Sequence, residues 1–366
     1  MFTFLLLLYY NYNGDSMKDR EQLVFNIKTE EDLSKLDDNK DIKYINIDIT
    51  TPNKKVIDYL IKNGQNLLYT ETINDNIGYI YVDYEMFKKG QKLVDEITKS
   101  IPTNLTKIEL AKWLYIKLGS FISYDINTIP EKNEVLNLSA ISTINNIWGS
   151  LSTGKGTNHT FTKLYYYLCK LNEIDCKLIK INEYGYQKNI IKVDSTEIIT
   201  DITNDLPYIQ GKYKTRFFGS YNDDINLDRN IGYTNEYSEK KLEKIVKTLD
   251  YNNDNFFKEL LLKTQGIINV KNIGPIELGI IYNDIFNKYC PSQDISINNL
   301  YIKNQNHKEH FILITQGNNH YSFNYNKKSF VEIPEEQLLK NIDTGKIGIY
   351  DNENVPLNRQ QKTKVA

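Results

Sequence analysis

The sequence predicts an α+β protein of more than one unit, and three observations carry this. Between Trp148 and Thr203 a Gly-rich turn leads into a long amphipathic helix and then a run of short strands. Residues 22–88 alternate helix and strand signals, and residues 276–350 run from a helix into a hairpin. At 366 residues the chain is long enough for two or three domains with a real core.

The elements follow in order. Residues 1–21 open with MFTFLLLLYY, an apolar run with no basic residue before it and no small-residue cleavage site. It is too short to cross a bilayer. We expect a frayed leader or an upstream start before Met17, and hence a cytoplasmic protein; a degenerate export or anchor segment in 1–16 is the competing reading. Residues 22–88 form a small α/β module. Thr29 starts a helix, Ile42 to Ile49 alternate as a strand, Pro52 opens a helix that runs to Gly64, and Tyr79 to Val82 form another strand. Residues 89–235 form the core. Leu93, Val94, Ile97 and Ile101 make one helix face, which Pro102 stops. Thr106 and Glu109 make a capping box for a second helix that ends near Tyr124. Residues 127–147 read as a loop and 204–235 as polar turns. Residues 236–350 form an α+β unit with helices at 238–249 and 256–262. A linker spans 266–274, and a hairpin turns at Gly317. Residues 351–366 read as a disordered tail. No internal repeat is visible.

Composition excludes some partners. Lys and Arg at 45 balance Asp and Glu at 47, which argues against an electrostatic grip on nucleic acid. The 28 tyrosines and abundant Asn, Ile and Lys fit an AT-rich coding background, so aromatic counts do not mark stacking sites. Three cysteines are too few for a disulfide scaffold and match no zinc spacing. Cys169 and Cys176 are expected as free core residues. Nothing calls for a metal or an organic cofactor, and Asp223, Asp224 and Asp228 lack the glycine and terminal glutamate of a calcium loop. A protein or peptide partner is expected, without stable membrane insertion.

The chemistry-bearing stretch is GSLSTGKGTNHTF at 149–161. Thr157, Asn158 and Thr160 stand where short polar side chains cap a helix. Such a start, opening from a Gly-rich turn, favours a nucleophile or an anion. Together with FISYD at 121–125 and DIT at 201–203, this stretch resembles the core of transglutaminase-like proteins, a papain-like fold. Gly154, Gly156, Phe161, Ile174 to Cys176 and Asp201 fall in the family's register, over roughly residues 90–215. The resemblance implies a nucleophilic Cys at the start of a buried helix, a His on a strand and an Asp on the next. A thiolate attacks an acyl carbon, the imidazole moves the proton, and the carboxylate orients the imidazole. Here those positions are Asn158, Tyr186 and Asp201, and only Asp201 has the family's residue type. A carboxamide is no nucleophile, and a phenol with a pKa of about 10 is a poor general base. The expectation is a vestigial triad beside a cleft of Trp148, Gly154, Gly156, Thr157 and His159, in a degenerate protein acting through binding or structure.

Two rivals remain. Cys290 with His310 would make a relocated Cys–His pair for a hydrolase or acyltransferase. Residues 149–157, with Lys155, approach a phosphate-binding loop for a nucleotide-dependent transferase, although Gly156 stands where Ser or Thr belongs.

Overall fold

The computed structural model describes residues 24–38, 42, 44–72, 82–125, 144–181, 186–211, 215, 217–219, 236–250, 253, 255–268, 273–291, 294–303, 308–344 and 347–349. The leader, most of the loop at 127–147, the acidic turn at Asp223, Asp224 and Asp228, and the tail lie outside the described residues. The protein mixes helix and sheet in two compact units. One takes Met1–Thr128, Val135–Thr203 and Phe217–Leu227; the other takes Ile129–Glu134, Asn204–Arg216 and Asp228–Ala366. These divisions differ from the sequence boundaries at 88 and 235. No break falls at 88 because side chains on both sides of it are buried against each other. The second unit takes up the chain again at Asn204, and its Gly211 lies against Ile273 and Ile281.

The first unit opens with a parallel sheet of β1 (Val24–Ile27), β2 (Tyr44–Asp48) and β3 (Leu68–Thr72), in that order. The connections are α1 (Glu30–Asp38) and α2 (Lys54–Asn63). Ile45, Asn46 and Ile47 are all buried, so both faces of β2 are covered, as parallel sheets require. Of the strand expected at 79–82, only Val82 is described, and it bridges Tyr69. Tyr69 also stacks on Phe87 of α3 (Tyr84–Lys99) with ring centroids 4.1 Å apart. Phe87 meets Trp148 edge-on, and Trp148 meets Tyr167. This row of rings joins β3 and α3 to α5 (Ile147–Thr153) and α6 (Asn158–Leu171). The α5 helix begins where a loop was expected, with Asn146 accepting from the N–H groups of Trp148 and Gly149. The capping box at Thr106 and Glu109 opens α4 (Lys107–Phe121) as expected. The short strands β4 (Ser123–Tyr124) and β5 (Lys155–Gly156) pair in parallel. An antiparallel sheet of β6 (Asp175–Lys180), β7 (Gln187–Val193) and β8 (Thr196–Thr200) completes the unit.

The spacing predicts one buried face on α6. Instead Tyr165, Tyr166 and Tyr167 are all buried, as are Thr162 and Lys163. A helix buried all round must satisfy its polar side chains in place. Lys163 Nζ lies 2.8 Å from Glu71 Oε1 and 3.3 Å from the Asn145 carbonyl. Glu71 Oε2 accepts from the Ile147 N–H at 2.7 Å. The Tyr165 hydroxyl donates to the Ala111 carbonyl. Cys169 and Cys176 are free and buried, as expected.

The helix α7 (Ile202–Gln210), whose residues from Asn204 on belong to the second unit, forms despite Pro207, where polar turns were expected from 204. Tyr208 donates to Asp284 of α10 (Pro275–Tyr289). Two more helices, α8 (Glu236–Val246) and α9 (Phe256–Thr264), precede α10. Of the expected linker, Ile268 and Ile273 are buried, and residues 269–272 lie outside the described residues. The hairpin is part of a five-stranded sheet in the order β12-β11-β10-β9-β13. Its strands are β9 (Ile295–Lys303), β10 (Lys308–Gln316), β11 (Asn319–Asn324), β12 (Ser329–Glu332) and β13 (Ile347–Ile349). Leu338 of α11 (Glu335–Asp343) packs on Leu300 and Leu313.

The Lys163–Glu71 pair gives a direct test of this packing. Lys163→Met leaves a buried carboxylate without its cation, and the loss expected in urea unfolding is about 3–5 kcal/mol. A loss under about 1 kcal/mol contradicts the buried pair.

Candidate functional site

The start of α6 is built by the turn before it. Gly154 ends α5 at φ +70°, a left-handed conformation that favours glycine. Gly156 is buried, and a Cβ there would stand 2.8 Å from Ser150 Oγ. Thr157 is the N-cap; its hydroxyl donates to Asn145 Oδ1 at 2.6 Å, and its N–H donates to Thr160 Oγ1 at 3.5 Å. Asn158 follows, 6 % exposed.

The Asn158 carboxamide is used at both ends. Its Oδ1 accepts the Gln187 N–H at 2.8 Å, and its Nδ2 donates to the Gln187 carbonyl at 3.0 Å. Nδ2 also donates to Thr203 Oγ1 at 3.1 Å. Ladder geometry explains the first two bonds. Ile181 donates to the Tyr186 carbonyl at 2.8 Å, so these two form a hydrogen-bonded pair between β6 and β7. Bonding alternates along the strand, so the next peptide group, at Gln187, faces the β8 side. But β8 ends at Thr200, paired with Asn189. Gln187 lies beyond that end, and the Asn158 carboxamide pairs with it as a strand residue would.

The other two positions join the same network. The Tyr186 hydroxyl donates to Asp201 Oδ1 at 2.8 Å and is also hydrogen-bonded to Thr203. Lys188 Nζ lies 3.3 Å from Asp201 Oδ2, and the Asp201 side chain is 3 % exposed. Burial, and then the Asp201 carboxylate, push the Tyr186 phenol well above its ordinary pKa. At neutral pH Tyr186 is a hydrogen-bond donor and not a base. The three positions singled out from the sequence therefore meet, with Thr203 between Asn158 and Tyr186. Sequence reasoning placed Thr203 in the DIT segment without giving it a role, and it missed Gln187 and Lys188. The Gln187 contact is made by its backbone, which no side-chain pattern encodes.

His159 is half-buried beside this network, hydrogen-bonded to the Gln187 side chain, whose Oε1 also accepts from Thr162 at 3.2 Å. Burial, and then the Lys163 and Lys180 charges, hold its pKa below 6.5, while the Gln187 bond opposes them.

Other expected site residues lie elsewhere. Trp148 is not a cleft wall; α5 turns it fully inward between Phe87 and Tyr167. Residues 149–153 are helical and Lys155 is exposed, so the backbone cradle of a phosphate loop is not formed. Cys290 caps α10 and is 3 % exposed, and burial raises its thiol to about 11. Such a thiol is a weak nucleophile at neutral pH. His310 pairs with Tyr301 on β9, while the chain from Cys290 enters that strand at Ile295, about 20 Å away along it. A groove of about 490 Å³ runs beside Asp83, Lys88 and Ser152; no residue of the Asn158 network lines it.

Among the described residues no group of His, Cys, Asp and Glu could hold a metal ion, and no helix is long and apolar enough to cross a membrane. No family model matches the chain, and no curated protein matches it.

The lowered His159 pKa has a sign. The folded protein takes up this proton at a lower pH than the unfolded chain does. The contribution is full above the ordinary 6.5 and is lost as pH falls through that value toward the folded pKa. Between about pH 7.5 and pH 5 the urea midpoint of the wild type is expected to fall more than that of His159→Gln. Equal falls would contradict the assignment.

Proposed function

We propose that residues 90–215 hold a transglutaminase-like core whose nucleophile and base positions have been given over to structural hydrogen bonds, and that the protein acts by binding or as a scaffold, without acyl transfer. The observation that supports this most is the Asn158 carboxamide, engaged on both its oxygen and its nitrogen. A catalytic position keeps its reacting atom free for substrate; this one is occupied within the fold. Tyr186 fits the same reading, since its hydroxyl serves Asp201 and its raised pKa leaves no base. The rival hydrolase finds no support at the buried Cys290.

The test is to rebuild the triad. Asn158→Cys alone is expected to alkylate slowly with iodoacetamide, because no imidazole activates the thiol. Adding Tyr186→His places an imidazole beside Asp201, and alkylation at 158 is expected to rise by about a hundredfold. Asp201→Ala in that background is expected to remove the gain. Circular dichroism and urea midpoints establish that each variant is folded. Equal rates in the single and double variants, unaffected by Asp201→Ala, would refute a vestigial triad.

A further inference from the structure

The sheet of β6, β7 and β8 has two unlike edges. At β8, Thr200 bridges Phe218, and the Gly219 N–H donates to the Ile199 carbonyl at 3.1 Å. The Asp201 N–H donates to the Phe217 carbonyl at 3.0 Å. That edge is covered over Ile199 to Asp201. β6 is the last strand on the other side. The Ile181–Tyr186 bond sets its phase: Asp175, Lys177 and Ile179 turn their peptide groups to β7. Those of Cys176, Leu178 and Lys180 turn outward, and among the described residues no strand pairs with them.

We propose that the open edge of β6 is a docking site for an extended acidic peptide, taken up as a fourth strand of this sheet. The outward N–H and C=O groups supply its ladder. Charge selects the occupant: Lys177 and Lys180 are exposed on opposite faces of this edge, so carboxylates on either face of an added strand have a cation to meet. Apolar side chains on the outer face continue an existing row. Lys177 stands opposite Ile190, which stands opposite Ile199, 41 % exposed, and Ile181 at the strand's end is 49 % exposed. Lysines on an edge repel unselected strands, and a second copy of β6 would offer lysine where carboxylate is needed. A lipid surface would leave the outward peptide groups of β6 without a strand to pair with.

This rests on the binding role proposed above only in giving it a partner class. The Asn158 network takes no part, so loss of either reading leaves the other standing. The experiment titrates the full chain into a fluorescein-labelled peptide of alternating Glu and Val and follows anisotropy. Saturable binding is expected, about tenfold weaker for a Lys–Val peptide and for the Glu–Val peptide N-methylated along both edges. The amides of Cys176, Leu178 and Lys180 are expected to gain protection from hydrogen exchange in the complex. Lys180→Pro removes an outward N–H without touching the ladder to β7, and it is expected to weaken binding by a similar factor. Absent binding, equal binding of the N-methylated probe, or preference for the Lys–Val peptide would each overturn the proposal. Binding to phosphatidylserine vesicles with no peptide binding would point to a lipid surface and overturn it too.

Discussion

The first unit depends on one two-point contact, between the Asn158 carboxamide and the peptide group of Gln187. β7 is longer than β8, and its first residue, half-buried, would otherwise have an N–H and C=O with no strand opposite. Leaving such groups unpaired costs about 1–3 kcal/mol each. A primary amide carries a donor and an acceptor in the geometry of a peptide group. Cysteine and alanine cannot replace it.

The helix behind that contact is held by polar groups as firmly as by apolar ones. Thr157 and Thr160 bond to the segment at Ile144 and Asn145, and Lys163 bonds to Glu71 on the far β3 strand. Burying an ion pair adds little net stability, but it penalises any packing in which the partners miss each other. The rings of Tyr69, Phe87, Trp148 and Tyr167 then fill the space between β3, α3, α5 and α6. The start of α6 is thus fixed from the α5 side by Thr157 and from the β7 side by Asn158.

Local signals were legible where a residue acts on its own neighbours. The Thr106–Glu109 capping box and the start of α6 are of this kind. So was the meeting of Asn158, Tyr186 and Asp201, through the spacing of the glycines and the DIT segment. What failed depends on distant partners. β1 has only four residues, and β3 buries Thr70 and Glu71, so the alternation of a half-exposed strand is missing. In β9, Asn298 and Asn299 interrupt the pattern. Pro207 hid α7, because proline normally argues against a helix interior. Trp148 beside glycines suggested a cleft, yet it faces inward because α5 is a helix and not a loop. The role of Asn158 was out of reach because it bonds to the backbone of Gln187.

The most direct measurement is amide hydrogen exchange at Gln187, resolved by NMR in the native protein. Its N–H has the Asn158 side chain as acceptor, whereas Asn189 and Ile191 are paired with β8. The result expected is strong protection of Gln187 in the wild type and loss of that protection in Asn158→Ala, with Asn189 and Ile191 still protected. A Gln187 amide that exchanges freely in the wild type, or that stays protected in Asn158→Ala, would contradict the assignment of Asn158 as the residue that closes this sheet.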